Sequence, residues 1–297
     1  MVGRVCLTSG ARGPRADRGV RPTALLLLLC ASPVVAESVD IGVFGLFRPT
    51  ELCVSPVSEV LLVTGDSRLI LEGRQHFTIR GAVRVTSRDG SDADFRLSVP
   101  GRIERQFHGT LTVRAGEHQL IAIVSMDREV AVASVVAAEM ASSTPLEALK
   151  AQAVAARSYY AAARGRHDGF DFCDTTHCQF LRAWPAPASA AFLATRETRS
   201  LLLGYQGKPI AALYSASCGG RTRSLEQMGE YPYYSVPCDF CRRHSPGLVQ
   251  GHQLGLCQAG AVGMAASGAS FRAILDHYYP GTDFFVAASP PLGHSKD

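Results

Sequence analysis

A chain of 297 residues with 46% hydrophobic and 19% charged content can bury a large core, as one extended domain or two smaller ones. Its net charge of +4 is concentrated at one end. Residues 1–36 carry five arginines and one aspartate, and taking these from 30 basic and 26 acidic residues leaves a neutral body with 25 of each and no electrostatic footprint for nucleic acid.

In chain order, the N-terminus reads as an export signal. A basic stretch to Arg21 precedes the apolar run Ala24 to Cys30, and small residues follow up to a cleavage site after Ala36. A retained signal anchor is the alternative. The expected location is therefore the periplasm or cell envelope, and no later stretch reaches the roughly 18 apolar residues of a spanning helix. Residues 37–126 read as a β-rich portion. Short β-branched or alternating runs such as 60–63, 77–79, 81–85 and 110–113 are punctuated by Gly, Asp and Ser. A helical pair follows within 127–164, and a Cys/His-rich loop runs from His167 to Gln179. Residues 198–216 return to strand character, with a hairpin expected at Gly204 to Lys208. Residues 217–260 are rich in Gly, Pro and Cys and read as loop. A last helix spans about Ser270 to Tyr279, and 283–297 is expected to be a flexible tail. The fold class is α+β: the central helical pair joins a β-rich N-terminal portion to a loop-rich, Cys-containing C-terminal portion (127–282) around a groove.

The helical pair isolates one acid. Glu139 lies in the apolar run Val135, Val136, Ala137, Ala138 and Met140, at the end of the first helix. There the helix dipole and the apolar neighbours both oppose ionisation, as a general acid working near neutrality requires; the plainer reading is a surface glutamate at a helix end. The second helix shows a start signal, with Thr144 as cap, Pro145 at the first position and Glu147 completing a capping box. Lys150 and Arg157 lie two turns apart on it, among alanines that permit close packing. Their plainer reading is a solvated face.

Two clusters could bind metal. His167, Cys173, His177 and Cys178 supply two imidazoles and two thiols, the donor set of a structural tetrahedral zinc site. A Cys173–Cys178 disulfide competes with it in an exported chain, and the two histidines favour zinc. Asp168, Asp171 and Asp174 stand ready as hydrogen-bond partners for the ligands. Cys218, Cys238, Cys241 and Cys257 form the second cluster. Metal and two disulfides remain equal readings there, with Cys53 left over. The chain has no asparagine, no G-x-S-x-G, no phosphate-binding glycine loop and no H-E-x-x-H, so the corresponding hydrolase, nucleotide-binding and zinc-protease classes lack support.

Three stretches in order, VVAAEM…EALKAQAVAARSYYA (135–162), YSASCGGRT (214–222) and GHQLGLCQAGAVGMA…HYYPGT (251–282), resemble the stage II sporulation protein D and amidase-enhancer family. The resemblance implies an exported peptidoglycan lytic transglycosylase that prefers peptide-stripped glycan strands. The alternative it implies is a non-catalytic wall-binding activator of an N-acetylmuramoyl-L-alanine amidase. By motif position Glu139 would be the catalytic acid, and Lys150, Arg157, His252 and Gln258 would line the substrate groove. The loop His167, Cys173, His177 and Cys178 is similar to a zinc-binding loop of some members. The expected partners are glycan strands and a cell-wall amidase. A transglycosylase can work with one carboxylate because the muramic acid's own 6-hydroxyl is the nucleophile, whereas a glycoside hydrolase needs two. The chain departs from the family pattern at Gln253, where Gly is usual after the histidine, at Ala141, where Pro is common, and before Val135, where REVAVAS lacks the usual Tyr-Leu.

Overall fold

The computed structural model describes residues 37–182, 184–226 and 231–286. The expected export signal and the tail beyond Val286 lie outside the described residues. Segment 38–127 folds as strands: β1 (Ser38–Val43), β2 (Leu52–Pro56), β3 (Leu61–Thr64), β4 (Arg68–Leu71), β5 (Phe77–Ile79), β6 (Val83–Ser87), β7 (Ala93–Val99), β8 (Ile103–Ala115) and β9 (Leu120–Asp127). Alternation along β2 and β7 turns Leu52, Val54, Phe95 and Leu97 into the core. A two-residue β10 (Phe172–Cys173) pairs in parallel with β1, and the main path runs β10-β1-β9-β8-β6-β3-β4. The long β8 serves three partners, β6 along its Leu111–Val113 edge and two others in succession. Residues 103–109 pair with β7, while 110–115 pair with β9. Gly109 marks the crossing, with φ 147°, and a Cβ there would lie 2.3 Å from the Ser125 carbonyl oxygen. Only glycine permits that approach.

β9 leads directly into α1 (Arg128–Glu139), whose cap Asp127 accepts the Glu129 N–H at 2.6 Å. The second helix, α2 (Leu146–Ala162), is buried on nearly every side and is the centre of the C-terminal portion. It packs against α1, α3 (Ala190–Glu197), β11 (Leu201–Tyr205), α5 (Gln258–Ala266) and α6 (Phe271–Tyr278). Ala148, Ala151, Ala153, Ala155 and Ala156 make these close approaches possible, and all are fully buried. The expected capping box does not form. Pro145 occupies the cap position without a side-chain bond, and Glu147 instead accepts from Lys150 and from the Phe271 N–H at 2.7 Å, at the start of α6. A tertiary contact has taken the carboxylate that the local pattern assigned to its own helix.

The hairpin forms as expected: β11 returns through Gln206 and Gly207, both with positive φ, to β12 (Lys208–Pro209). The stretch read as loop contains more structure than its composition suggests. After β13 (Tyr214–Ser215), which closes the strand-like stretch, it holds β14 (Ser217–Cys218), α4 (Asp239–His244), β15 (Val249–Gln250), β16 (Leu256–Cys257) and the start of α5. The expected tail begins with a strand, β17 (Asp283–Val286), which pairs antiparallel with β11. No helix among the described residues is long and apolar enough to cross a membrane.

Candidate functional site

Glu139 is the last residue of α1, and the chain leaves the helix at Met140 in extended conformation. One carboxylate oxygen accepts the Phe180 N–H at 3.2 Å, and the other accepts the Gln258 amide at 3.4 Å. Both partners are neutral. Burial raises the Glu139 pKa above its ordinary value, and the hydrogen bonds from Phe180 and Gln258 only partly offset this. Gln258 also donates to Gln152 at 3.3 Å, so three side chains from α1, α2 and α5 form one polar chain.

The carboxylate opens into a cleft of about 450 Å³ lined by Glu139, Gln179, Tyr214, Ser215, His252 and Gln258 among others. The parallel pairing of β13 with β16 brings Tyr214 and Ser215 alongside Leu256 and Cys257, and so next to Gln258. Tyr214 donates its hydroxyl to Gln179 at 2.9 Å, and Gln179 anchors itself on the Ala156 carbonyl at 3.2 Å. The buried hydroxyl of Ser215 and the Gln152 amide nitrogen have no protein partner. Ser215 lines the cleft, where a bound ligand could satisfy its hydroxyl. His252 is exposed, and its Nδ1 accepts the Leu254 N–H at 3.0 Å, so the free tautomer keeps its proton on Nε2. Gln253 preserves the backbone geometry expected of a glycine. Its φ is 65°, its amide donates to the Cys218 carbonyl at 2.9 Å, and its carbonyl accepts from Arg223.

Two expected groove residues sit elsewhere. Arg157 is fully buried. Its guanidinium grips both oxygens of Glu129, at 2.7 and 2.6 Å, and reaches the carbonyls of Leu201 and Thr195. It fastens α2 to α1, α3 and β11, and neither lines a groove nor forms a solvated face. Lys150 bridges Glu147 at 2.8 Å and Glu197 at 2.7 Å, with its side chain 15% exposed, and it is absent from the lining of the Glu139 cleft. The structure gathers Glu139, His252 and Gln258 at one cleft and leaves Lys150 and Arg157 outside it.

The Cys/His loop lies against the same cleft, which Cys178 also lines. Ligand atoms of His167, Cys173, His177 and Cys178 all lie within 4.8 Å of one another, and both thiols are free. His167 Nε2 is 3.2 Å from Cys178 Sγ, and His177 Nδ1 is 3.6 Å from the same sulfur. This donor set fits a tetrahedral ion, with His167 binding through Nε2 and His177 through Nδ1. A hydrogen bond from Cys178 lowers the Cys173 thiol to about 3, and the same contact raises that of Cys178. Asp171 and Asp174 are committed to other partners than the ligands. Asp174 pairs with the buried Arg105 at 2.7 Å, and Asp171 accepts the Asp40 N–H, so both tie the loop to β1 and its neighbours.

Residues 116–205 match the stage II sporulation protein family, SpoIID. Over that segment, under half of its length, the chain is similar to SpoIID. The match takes in α1, α2, the Cys/His loop, α3 and β11, hence Glu139 and the first metal cluster, and stops before His252 and Gln258. An uncharacterized protein of Brachyspira hyodysenteriae is 33% identical over 126 residues, which is 41% of this chain and 34% of that relative. The aligned part thus spans about a third of the relative's length. The SpoIID assignment carries a cell-wall theme and an association with the cell envelope.

Sequence reading missed Gln152, Gln179, Tyr214 and the Phe180 N–H. Gln152 carried a usable signal: it is a lone polar side chain amid alanines and valine in the middle of a helix. Such a residue, once buried, must find a polar partner. The others depend on long-range contacts that no local pattern announces.

Proposed function

We propose that this SpoIID-like chain is a peptidoglycan lytic transglycosylase using Glu139 as its single general acid and base. The observation that carries the reading is that Glu139 is the only carboxylate among the described residues lining the cleft, and that it has neutral partners and a raised pKa. In its protonated form Glu139 donates to the glycosidic oxygen as the C1–O bond breaks. The 6-hydroxyl of the same muramic acid then attacks C1, and its proton passes to the Glu139 carboxylate, which restores the acid. Hydrolysis with inversion or retention would require a second carboxylate across the bond, and the lining supplies none. His252, Ser215 and Tyr214 offer hydrogen bonds to sugar hydroxyls. The first metal cluster, when loaded, would brace the loop that ends in Cys178 and presents the Phe180 N–H to Glu139.

The test is mass spectrometry of products from denuded and peptide-bearing glycan, with wild type and Glu139→Gln. Anhydro-muramic ends from wild type alone are expected. Reducing ends would mean hydrolysis and a second acid. Intact binding without cleavage, with stimulation of an amidase by both proteins, would replace this reading with that of an amidase activator.

A further inference from the structure

The four cysteines of the C-terminal portion converge far more tightly than their spacing requires. Cys218 closes β14, Cys238 immediately precedes α4, Cys241 lies within it, and Cys257 closes β16 and caps α5. Their four sulfurs all lie within 4.8 Å of one another, with Cys241 and Cys257 at 3.5 Å, and none of the four residues is more than 2% exposed. Four thiolates bound to one zinc at about 2.3 Å stand about 3.8 Å apart in a regular tetrahedron. We propose that Cys218, Cys238, Cys241 and Cys257 hold a structural zinc ion in a closed four-thiolate site.

The surroundings are built for thiolates. The Gly260 N–H donates to Cys257 Sγ at 3.4 Å, in the first turn of α5, and the Tyr278 hydroxyl donates to Cys238 Sγ at 3.4 Å. Hydrogen bonds of this kind spread the charge of metal-bound sulfur. Gly260 is required by the arrangement: a Cβ there would lie 1.9 Å from Tyr278 Oη and 2.6 Å from Cys238 Sγ. Gly219 and Gly220, both with positive φ, turn the chain after Cys218, and the Gly220 carbonyl accepts the Cys238 N–H at 2.9 Å. The backbone therefore holds two of the ligand-bearing segments together independently of the sulfurs.

Three rival uses fit less well. A redox pair needs a sulfur that a partner thiol can reach, and Cys238 and Cys241 are buried at 2% and 0% exposure. An iron–sulfur cluster needs room for several irons and sulfides between its ligands, whereas this spacing admits one ion. Two disulfides would draw the sulfurs into two separate pairs; here every sulfur neighbours the other three, and all four thiols are free. A closed site with four protein ligands has no open position and is structural. Its place in the chain gives it a consequence for the cleft. Cys257 is followed by Gln258, so the ion would fix the start of α5 and the aim of the Gln258 amide at Glu139. The binding of zinc itself does not rest on the transglycosylase reading.

The test separates this site from the loop. The full chain carrying Cys173→Ser and Cys178→Ser, purified under reducing conditions with zinc, should retain about one zinc per chain with four sulfur ligands by X-ray absorption, and adding Cys238→Ser should remove it. Wild type, followed in parallel by alkylation with peptide mapping, makes the test independent of how the variants fold. Chelation should make Cys218, Cys238, Cys241 and Cys257 reactive together. Failure of the wild type to protect these four in the presence of zinc would overturn the proposal, as would their recovery as two disulfides from non-reduced peptides.

Discussion

Glu129 and Glu139 stand at opposite ends of one helix and have opposite surroundings. Glu129 is in the first turn, where the helix dipole favours negative charge, and both its oxygens are taken by the buried Arg157. Glu139 is the last residue, where the dipole opposes charge, and its partners are one backbone N–H and one neutral amide. The first carboxylate is fully committed to holding α1 against α2. The second keeps its affinity for a proton and faces a cleft. Residue type and helix are shared, so the partners decide the role: a carboxylate becomes available for proton transfer when it is partly buried without a cation.

The largest effects should follow from changing Glu139 itself and Arg157, the partner of Glu129, the first in activity and the second in stability. Glu139→Gln should lower glycan cleavage by about 10²- to 10⁴-fold, the range for a lost general acid, with little change in folding. The sign of its stability effect follows from the raised pKa. The folded state holds the proton more tightly than the unfolded one, so stability falls as pH rises from the ordinary glutamate pKa through the raised one. Denaturant midpoints of Glu139→Gln should thus equal or exceed wild type at neutral pH, and the gap should close in acid, where both states of the wild type are protonated. Arg157→Ala should do the reverse, costing about 3–5 kcal/mol by chemical denaturation because Glu129 is left partly buried and unpaired. A stable but inactive Arg157→Ala protein would break the comparison and return Arg157 to the substrate.

Gln258→Ala sharpens it further. The Gln258 amide donates to the charged form of Glu139, so removing it should push the Glu139 pKa higher still. The alkaline limb of the pH–rate profile, where the protonated acid is lost, should move to higher pH. The maximal rate should fall roughly tenfold, the size expected for about one lost hydrogen bond. A lower rate with an unmoved limb would mean that Gln258 acts on the substrate and not on the acid.

The part of this comparison that was legible in the sequence was the part carried by local pattern. Glu139 was visible as the lone acid in an apolar run, and the helical pair, the β-rich portion and the Gly204–Lys208 hairpin followed from periodicity and turn chemistry. Arg157 was misplaced because a basic residue among alanines reads the same whether its face meets solvent or a partly buried glutamate 28 residues earlier. The helix α5 was hidden for another reason. Gly260 and Gly263 depress its propensity, yet they are needed because Tyr278 and Cys238 crowd the first and Phe240 the second. Gln253 carried a warning about the loop that the fold answered, since a non-glycine residue keeps the positive φ with its side chain anchored on Cys218. Composition marked the cysteines, but only the folded chain brings Cys218 and Cys257 to Cys238 and Cys241.

The smallest effect tests the other displaced residue. Lys150 sits between Glu147 and Glu197, which raise its pKa through their hydrogen bonds. The raised value means that this contribution is fully present below the ordinary lysine pKa and is lost only as pH climbs through the folded value, so at neutral pH it is intact. Both glutamates are about a third or more exposed, at 34% and 40%, and solvent screening keeps the pairs weak. Lys150→Met retains the apolar stem, and Glu147 keeps its bond to the Phe271 N–H at the start of α6. The substitution should therefore cost about 1 kcal/mol or less in denaturant unfolding and leave kcat/KM on glycan unchanged. A tenfold or greater loss of kcat/KM with the fold intact would place the ammonium group against the substrate. The ion pairs seen here would then be a resting arrangement that glycan displaces, and the groove would extend from Glu139 along α2.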